Sequence, residues 1–333
     1  MRFALFYIAS IISLLGCTSD ESPDSFSLIV QIPSTIRSTK LISKENKAYI
    51  VTYLDLNSER ETTTEVYRVD LQNSTSTKII TTEGSCDNGF IISTDEKFAI
   101  LSTYIQKSNG YETRIEMIDV EDQTKKILIS SNDTFYSVYT LDPENKFLLY
   151  NQYKNGMNTI RRRNLLTDDD VQISGSENAV YVGLHPITNE ILVNTYSQFY
   201  LMDWDGVIKT EPVSGLTPMS ISSDGQLILC EKQGEIYTYD ISNKLETQIT
   251  NAGDKLHPCC FSSNGTSILF ATDKDHAANS YLYELYTMDT SGTNIKRLTM
   301  DADADFPIGF FDQDTRILFT SSKNDKALYA IRM

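Results

Sequence analysis

Residues 257–299 read HPCCFSSNGTSILFATDKDHAANSYLYELYTMDTSGTNIKRLT, three strand-like apolar runs and a short fourth, each set off by turn residues. Ser263-Asn264-Gly265 lies between the first two runs. Gly supplies the positive φ of a tight turn and Asn tolerates it, so the pair reads as a hairpin. Residues 268–272 are β-branched and aromatic, and a polar loop, 273–280, leads to residues 281–288, whose Tyr and Leu suit a strand buried on both faces. Asp289 opens another turn with Ser291-Gly292, and residues 295–299, carrying Lys296 and Arg297, suit a solvent-facing outer strand. Four antiparallel strands in about 45 residues make one blade of a radial all-β architecture.

The same unit recurs along nearly the whole chain. Its first turn returns as SKENK at Ser43, STDEK at Ser93, DPENK at Asp142, PITNE at Pro186, SSDGQ at Ser222, SSNGT at Ser262 and DQDTR at Asp312, each followed by an apolar strand. A turn-opening Asp70, Asp119, Asn164, Asp203, Asp240 and Asp289 keeps the same phase, placed to bond the backbone that follows. So does an aliphatic residue before a hydroxyl: Ile80-Thr81, Ile129-Ser130, Ile173-Ser174, Val213-Ser214, Ile249-Thr250 and Leu298-Thr299. The first signal occurs seven times and the later two six times each, because a third strand, residues 327–333, is the last of the sequence. Residues 27–32 have no hairpin partner, and their Val30-Gln31-Ile32 repeats the Val171-Gln172-Ile173 of an outer strand. The spacing predicts an all-β β-propeller of four-stranded antiparallel blades, seven of them, with six or eight as the alternatives. Residues 27–333 would form one domain whose N-terminal strand completes the last blade and leaves no open edge.

Phe261-Ser262-Ser263-Asn264-Gly265, then Tyr286-Thr287-Met288-Asp289, then Lys296-Arg297-Leu298-Thr299 resembles the repeat of TolB-like, WD-like propellers. Asp305-Phe306-Pro307 resembles that family's lead-in to the next blade. The resemblance runs from Ser27 to Met333 and is strongest in the last three blades, while a count of seven departs from the six blades of the family's namesake. It implies a fold; such propellers serve many functions, so function has to be argued from a site.

Ahead of the repeats, Met1-Arg2 is followed by an apolar run to Leu15 and then Gly16-Cys17. The run is short for a bilayer and has a basic start, so residues 1–16 read as a signal peptide. Leu14-Leu15-Gly16-Cys17 resembles the bacterial lipobox, which implies lipidation of Cys17. Residues 17–26 read as a flexible acidic tether. The segment is similar to the export signal of surface lipoproteins of Bacteroidota, and Thr18 after the cysteine does not resemble an inner-membrane retention signal. The expected address is the bacterial cell envelope, anchored to the outer membrane through lipid on Cys17.

Acidic residues outnumber basic ones 45 to 29, a formal charge of -16. That balance disfavours nucleic acid and anionic lipid surfaces and suits cationic ligands or basic protein faces. Cys86, Cys230, Cys259 and Cys260 form no CxxC pair, so a thiol redox centre or zinc ribbon has no support. Vicinal Cys259 and Cys260 in a regular strand would point to opposite faces. A bridge from one of them to Cys230 and buried free thiols both stay open.

The loops between blades and those between second and third strands fall on one face of a propeller, and here they carry the longer insertions: 54–64, 106–111, 153–158, 273–280 and 321–325. The blade-to-blade loops supply Glu83, Asp87, Asp133, Glu177, Asp254, Asp301, Asp303 and Asp305, which with His276 make the candidate ligand-binding face around the channel mouth. The plainer alternative is that each acid caps its own turn. Asp301-Ala302-Asp303-Ala304-Asp305 invites comparison with a calcium loop, but Phe306 stands where that loop needs Gly and Asp312 where it needs Glu. No cofactor is therefore expected, with calcium the alternative.

Some propeller lyases of the resembled family use a histidine-bound metal in the channel, which here would require His185, His257 and two or more carboxylates to converge. Neither a GxSxG elbow nor a phosphate-binding glycine loop occurs. Arg161-Arg162-Arg163 reads as surface charge balance and Trp204 as packing. The resulting expectation is an outer-membrane-anchored lipoprotein whose non-enzymatic propeller binds an envelope or extracellular protein or a glycan. The alternative is a saccharide-acting lyase or hydrolase with its site at the channel mouth.

Overall fold

The computed structural model describes residues 26–42, 45–55, 62–86, 89–175, 178–251, 256–276 and 282–333. The segment expected to be a signal peptide, Cys17 and nearly all of the expected tether lie outside them, as do Asp87, Glu177 and Asp254. The described residues form seven four-stranded antiparallel sheets and no α-helix. Blade one starts at Ile36–Ile42, blade two at Phe90–Ile92, blade three at Phe135–Leu141, blade four at Val180–Leu184, blade five at Thr217–Ile221, blade six at Leu256–Phe261 and blade seven at Asp305–Phe311. Within each blade, successive strands pair with their sequence neighbours. The first strands of blades two and three, four and five, five and six, and six and seven pack against each other, and Ile36–Ile42 against Asp305–Phe311 closes the circle. The chain is a seven-bladed β-propeller.

Closure follows the predicted route. Ser27–Gln31 lies antiparallel to Asn324–Arg332, with Ser27 opposite Ala330 and Gln31 opposite Ala327, as the outer strand of blade seven. A register shift between Leu28 and Val30 lets Ile29 and Val30 both turn inward. They join Ile50 and Val69 of blade one and Leu318 and Leu328 of blade seven in one apolar cluster, so the strand ties the two ends of the ring together. Similar clusters fill the other seams, for example Ile91, Ile100 and Ile115 of blade two against Tyr136, Leu148 and Tyr150 of blade three. The core is therefore divided among the seams, and each blade buries both faces.

The repeated residues prove to be the punctuation of this scaffold. The fourth residue of the first turn is left-handed in six copies: Asn46 (φ 49), Glu96 (φ 57), Asn145 (φ 56), Asn189 (φ 57), Gly225 (φ 73) and Gly265 (φ 72). At Gly225 the need is steric as well, because a Cβ there would lie 2.3 Å from Cε1 of His185. The turn-opening Asp70 accepts the N–H groups of Gln72 and Asn73 at 2.9 Å, and Asn164 does the same for Leu166 and Thr167. The closing hydroxyls replace a missing ladder partner, since the fourth strand ends before the third does. Ser174 Oγ accepts Ile160 N–H at 2.8 Å, Thr250 Oγ1 accepts Ile236 N–H at 2.8 Å and Thr299 Oγ1 accepts Leu285 N–H at 2.9 Å.

The cysteines depart from expectation. The first strands of blades one and three to seven carry a register shift, and in blade six it falls between Pro258 and Cys260, making Cys259 the extra residue. A bulge breaks the alternation of side chains, so Cys259 and Cys260 do not point to opposite faces; their sulfurs are 3.7 Å apart. Cys230 is buried in the core between blades four and five with Leu192, Phe199 and Leu201, and no bridge joins it to Cys259 or Cys260.

Candidate functional site

Because strands alternate in direction, the blade-to-blade loops and the loops between second and third strands emerge at one end of the ring. Among the described residues, clefts open at that end. One of about 570 Å³ lies between blades one and seven, lined by Ile36, Arg37, Phe306, Pro307, Ser321 and Asp325. Another of about 400 Å³ includes Asn178, Thr195 and Tyr196, and a third of about 490 Å³ includes Met219, Gly234 and His257. Tyr196 is 88% exposed and Phe306 48%, large apolar surface to leave in water at one end of the molecule. Tyr104, Tyr111 and Phe135 stack in a row there, with centroid separations of 5.3 and 5.0 Å.

Glu284, Asp301 and Asp305 converge beside the largest of these clefts. Each offers a carboxylate oxygen within 4.8 Å of the others. Glu284 opens the third strand of blade six, Asp301 lies in the loop to blade seven, and Asp305 opens the first strand of blade seven opposite Ser321. The seam between the last two blades thus brings them together. Glu284 and Asp305 are fully buried. Glu284 is held by one oxygen only: Oε1 lies 2.9 Å from His276 Nε2 and 3.1 Å from Arg297 Nη2. Arg297 also reaches Asp275 Oδ2 at 3.1 Å, and the hydroxyl of Tyr286 donates to the same carboxylate. Asp301 Oδ1 accepts the N–H of Asp303 at 3.0 Å. The remaining oxygens, Glu284 Oε2, Asp301 Oδ2 and both of Asp305, have no hydrogen-bond partner.

Four buried carboxylate oxygens without partners carry a desolvation cost that protonation or a cation would relieve. Burial pushes the Asp305 carboxyl up to about 7; the nearby Ser321 and Thr299 hydroxyls oppose the rise, and the charges of Asp301 and Glu284 add to it. The oxygen-only donor set suits a hard divalent cation. Two oxygens on opposite sides of one calcium ion are up to about 5 Å apart, so the observed span is one such an ion can bridge.

Asp305 is foreign to the scaffold. Counted from the bulge of each first strand, its place is taken by Leu256 in blade six, Leu216 in five, Ala179 in four, Tyr136 in three and Ser34 in one, all buried and uncharged. Glu284 by contrast belongs to the repeat. Glu65 and Glu235 hold the same place in blades one and five, but there Lys78 and Tyr67 satisfy Glu65 and Thr250 satisfies Glu235. In blade six the equivalent hydroxyl, Thr299, lies beside Asp305 instead.

The residues named from the sequence are distributed as follows. Asp301 and Asp305 enter the cluster, and His276 supports it through Glu284. Asp303 contributes its backbone N–H and accepts from Ser322 at 3.4 Å, outside the cluster. Asp133 caps its own loop, accepting from Ser131 and Thr134 at 2.7 Å and pairing with Lys154 at 3.0 Å. Glu83 pairs with Lys107 at 3.6 Å. Asp312 sits at the other end of the ring, where its N–H bonds Asn46. His185 is also at that end, its Nδ1 accepting two backbone N–H groups and its Nε2–H bonding Gly225 O at 2.9 Å, while His257 is exposed against the Tyr283 ring. Among the described residues, His185, His257 and carboxylates do not form a metal-binding group. Arg161, Arg162 and Arg163 pair with Asp170, Asp205 and Asp168, and Trp204 Nε1 bonds Asn189 O at 2.9 Å while its side chain packs against the core between blades three and four.

No family model matches the chain, and no curated protein does. Solved structures do. Oligogalacturonate lyase from Vibrio parahaemolyticus aligns at 13% identity with a TM-score of 0.64 over 92% of this chain and 93% of that one, and an oligogalacturonate lyase in complex with manganese aligns at 16% with a TM-score of 0.58, over 91% and 97%. The propeller domain of the Trilobed protease from Pyrococcus furiosus, described as having an open velcro topology, aligns at 14% with a TM-score of 0.60, over 91% and 94%. TolB from Acinetobacter baumannii aligns at 19% with a TM-score of 0.49, over 77% of this chain and 63% of that one. The likeness is one of fold. Unlike an open velcro, this ring is closed by its N-terminal strand.

Proposed function

We propose that this chain is a lipid-anchored protein of the bacterial cell envelope, held at the outer membrane through Cys17, and that its propeller is a non-enzymatic scaffold for a protein or glycan. Its partner docks on the loop-rich end, around a calcium ion held by Glu284, Asp301 and Asp305. The observation that carries this reading is the set of four unpartnered carboxylate oxygens at the edge of the 570 Å³ cleft. A calcium ion there would take those oxygens, complete its shell with water or with oxygens of the partner, and offset most of the pocket's like charge. The exposed Phe306 and the stacked Tyr104, Tyr111 and Phe135 would provide the apolar and aromatic contacts that recognition surfaces use.

The test is calorimetric titration of calcium chloride into chelator-stripped protein, alongside Glu284→Gln and Asp305→Asn. One ion per chain bound by the parent and weakened at least tenfold in both variants supports the site. Equal binding by all three proteins, or none by the parent, refutes it. Magnesium and manganese titrations rank the cations, and calcium should bind tightest because it accepts irregular oxygen shells and dehydrates more readily than magnesium.

A further inference from the structure

We propose that Cys259 and Cys260 are a peroxide-sensitive dithiol that closes to a vicinal disulfide. The proposal rests on the bulge in the first strand of blade six, independently of the cation pocket. In a regular strand consecutive side chains diverge; here the extra residue places the two sulfurs 3.7 Å apart on one side. Both residues keep partial exposure on the innermost strand. The other described cysteines, Cys86 and Cys230, are 1% and 0% exposed, so the same fold carries two inert thiols as internal controls. Cys259 also faces the first strand of blade seven, with its sulfur 3.9 Å from Pro307 O and 4.0 Å from Ile308 O. The pair therefore sits in the seam that Asp305 also enters, two residues from Pro307.

The chemistry needs one peroxide and no metal. The Cys259 thiolate, held below the ordinary range by its neighbour's hydrogen bond, attacks the O–O bond and becomes a sulfenic acid as hydroxide leaves and is protonated to water. The Cys260 sulfur then attacks the Cys259 sulfur, the S–O bond breaks, and the hydroxyl departs with the Cys260 proton as a second water. Two thiols and one peroxide become one disulfide and two waters, with the sulfurs oxidised by two electrons in total.

The experiment exposes reduced, native full-length protein to hydrogen peroxide, removes the oxidant, blocks free thiols in denaturant and analyses tryptic peptides without reduction. The peptide of residues 256–274 holds Cys259 and Cys260 and no other cysteine. The expected product is that peptide unblocked and two hydrogens lighter than the dithiol, restored by a reductant, with Cys86 and Cys230 blocked as before. Cys260→Ser should stop at a sulfenic acid on Cys259 that a dimedone probe captures. Recovery of Cys259 and Cys260 as blocked thiols, or bridges from either to Cys86, Cys230 or a second chain, overturns the proposal.

Discussion

Replacing Asp305 by Asn removes one carboxylate without changing its shape, and the consequence can be worked from its surroundings. In the folded chain the Asp305 carboxyl is raised from 3.8 to about 7. A raised carboxyl means that the folded state binds the proton more tightly than the unfolded state. Its contribution to stability is therefore complete below about pH 4 and is lost as the pH climbs through 7. At about 1.4 kcal/mol per pH unit, the three units set a loss of about 4 kcal/mol as an upper figure. In chelator, the parent protein should lose up to that much more stability than Asp305→Asn between pH 4 and pH 8, since groups away from this pocket titrate alike in both. Calcium at about a hundred times the parent's dissociation constant should return about 2.7 kcal/mol to the parent at pH 8 and at most about 1.4 kcal/mol to a variant that binds it at least tenfold more weakly. Urea unfolding followed by the fluorescence of Trp204, the only tryptophan, reads both effects. Parallel stability–pH curves for the two proteins would refute the reasoning, because they would mean that Asp305 ionises as freely in the fold as in water.

Three further predictions test the scaffold and its address. Thr299→Val removes the acceptor of Leu285 N–H and the hydroxyl beside Asp305, and should cost about 1–3 kcal/mol in urea unfolding; an unchanged midpoint would deny the closing hydroxyl its structural role. Ile29→Asp buries a charge in the outer strand of blade seven and should lower stability by more than about 3 kcal/mol or open the ring, read as protease cleavage between blades one and seven. A variant as resistant as the parent would show that the strand is not the lock. Cys17→Ala should move the protein from the membrane to the soluble fraction on cell fractionation, and full retention in the membrane would contradict lipid anchoring.

What was legible in the sequence was local. The left-handed turn positions announce themselves through Asn and Gly, and the closing hydroxyls through their fixed phase, because each acts on backbone within its own blade. Ring closure was legible from a mismatch, seven turns against six later signals, which only a strand from elsewhere in the chain could balance. The pocket was half legible. Asp301 and Asp305 stand out as acids in a loop, but Glu284 lies within the apolar run YLYELYTMD and looked like part of a buried strand. Its match in phase to Glu65 and Glu235 was the available signal, and comparing those copies would have asked what satisfies each. Asp303 and Asp133 looked equivalent to Asp305 by spacing, yet they reach their own loops, and only packing across the seam separates the two cases. The cysteine pair was read wrongly because a bulge belongs to strand pairing, which residue alternation alone does not reveal.

The most direct measurement is anomalous diffraction from crystals grown with calcium. A single peak within about 2.3–2.6 Å of carboxylate oxygens from Glu284, Asp301 and Asp305, absent in Asp305→Asn, is the result predicted. An ordered pocket with no peak at saturating calcium, or a peak held elsewhere on the loop-rich end, would contradict the account.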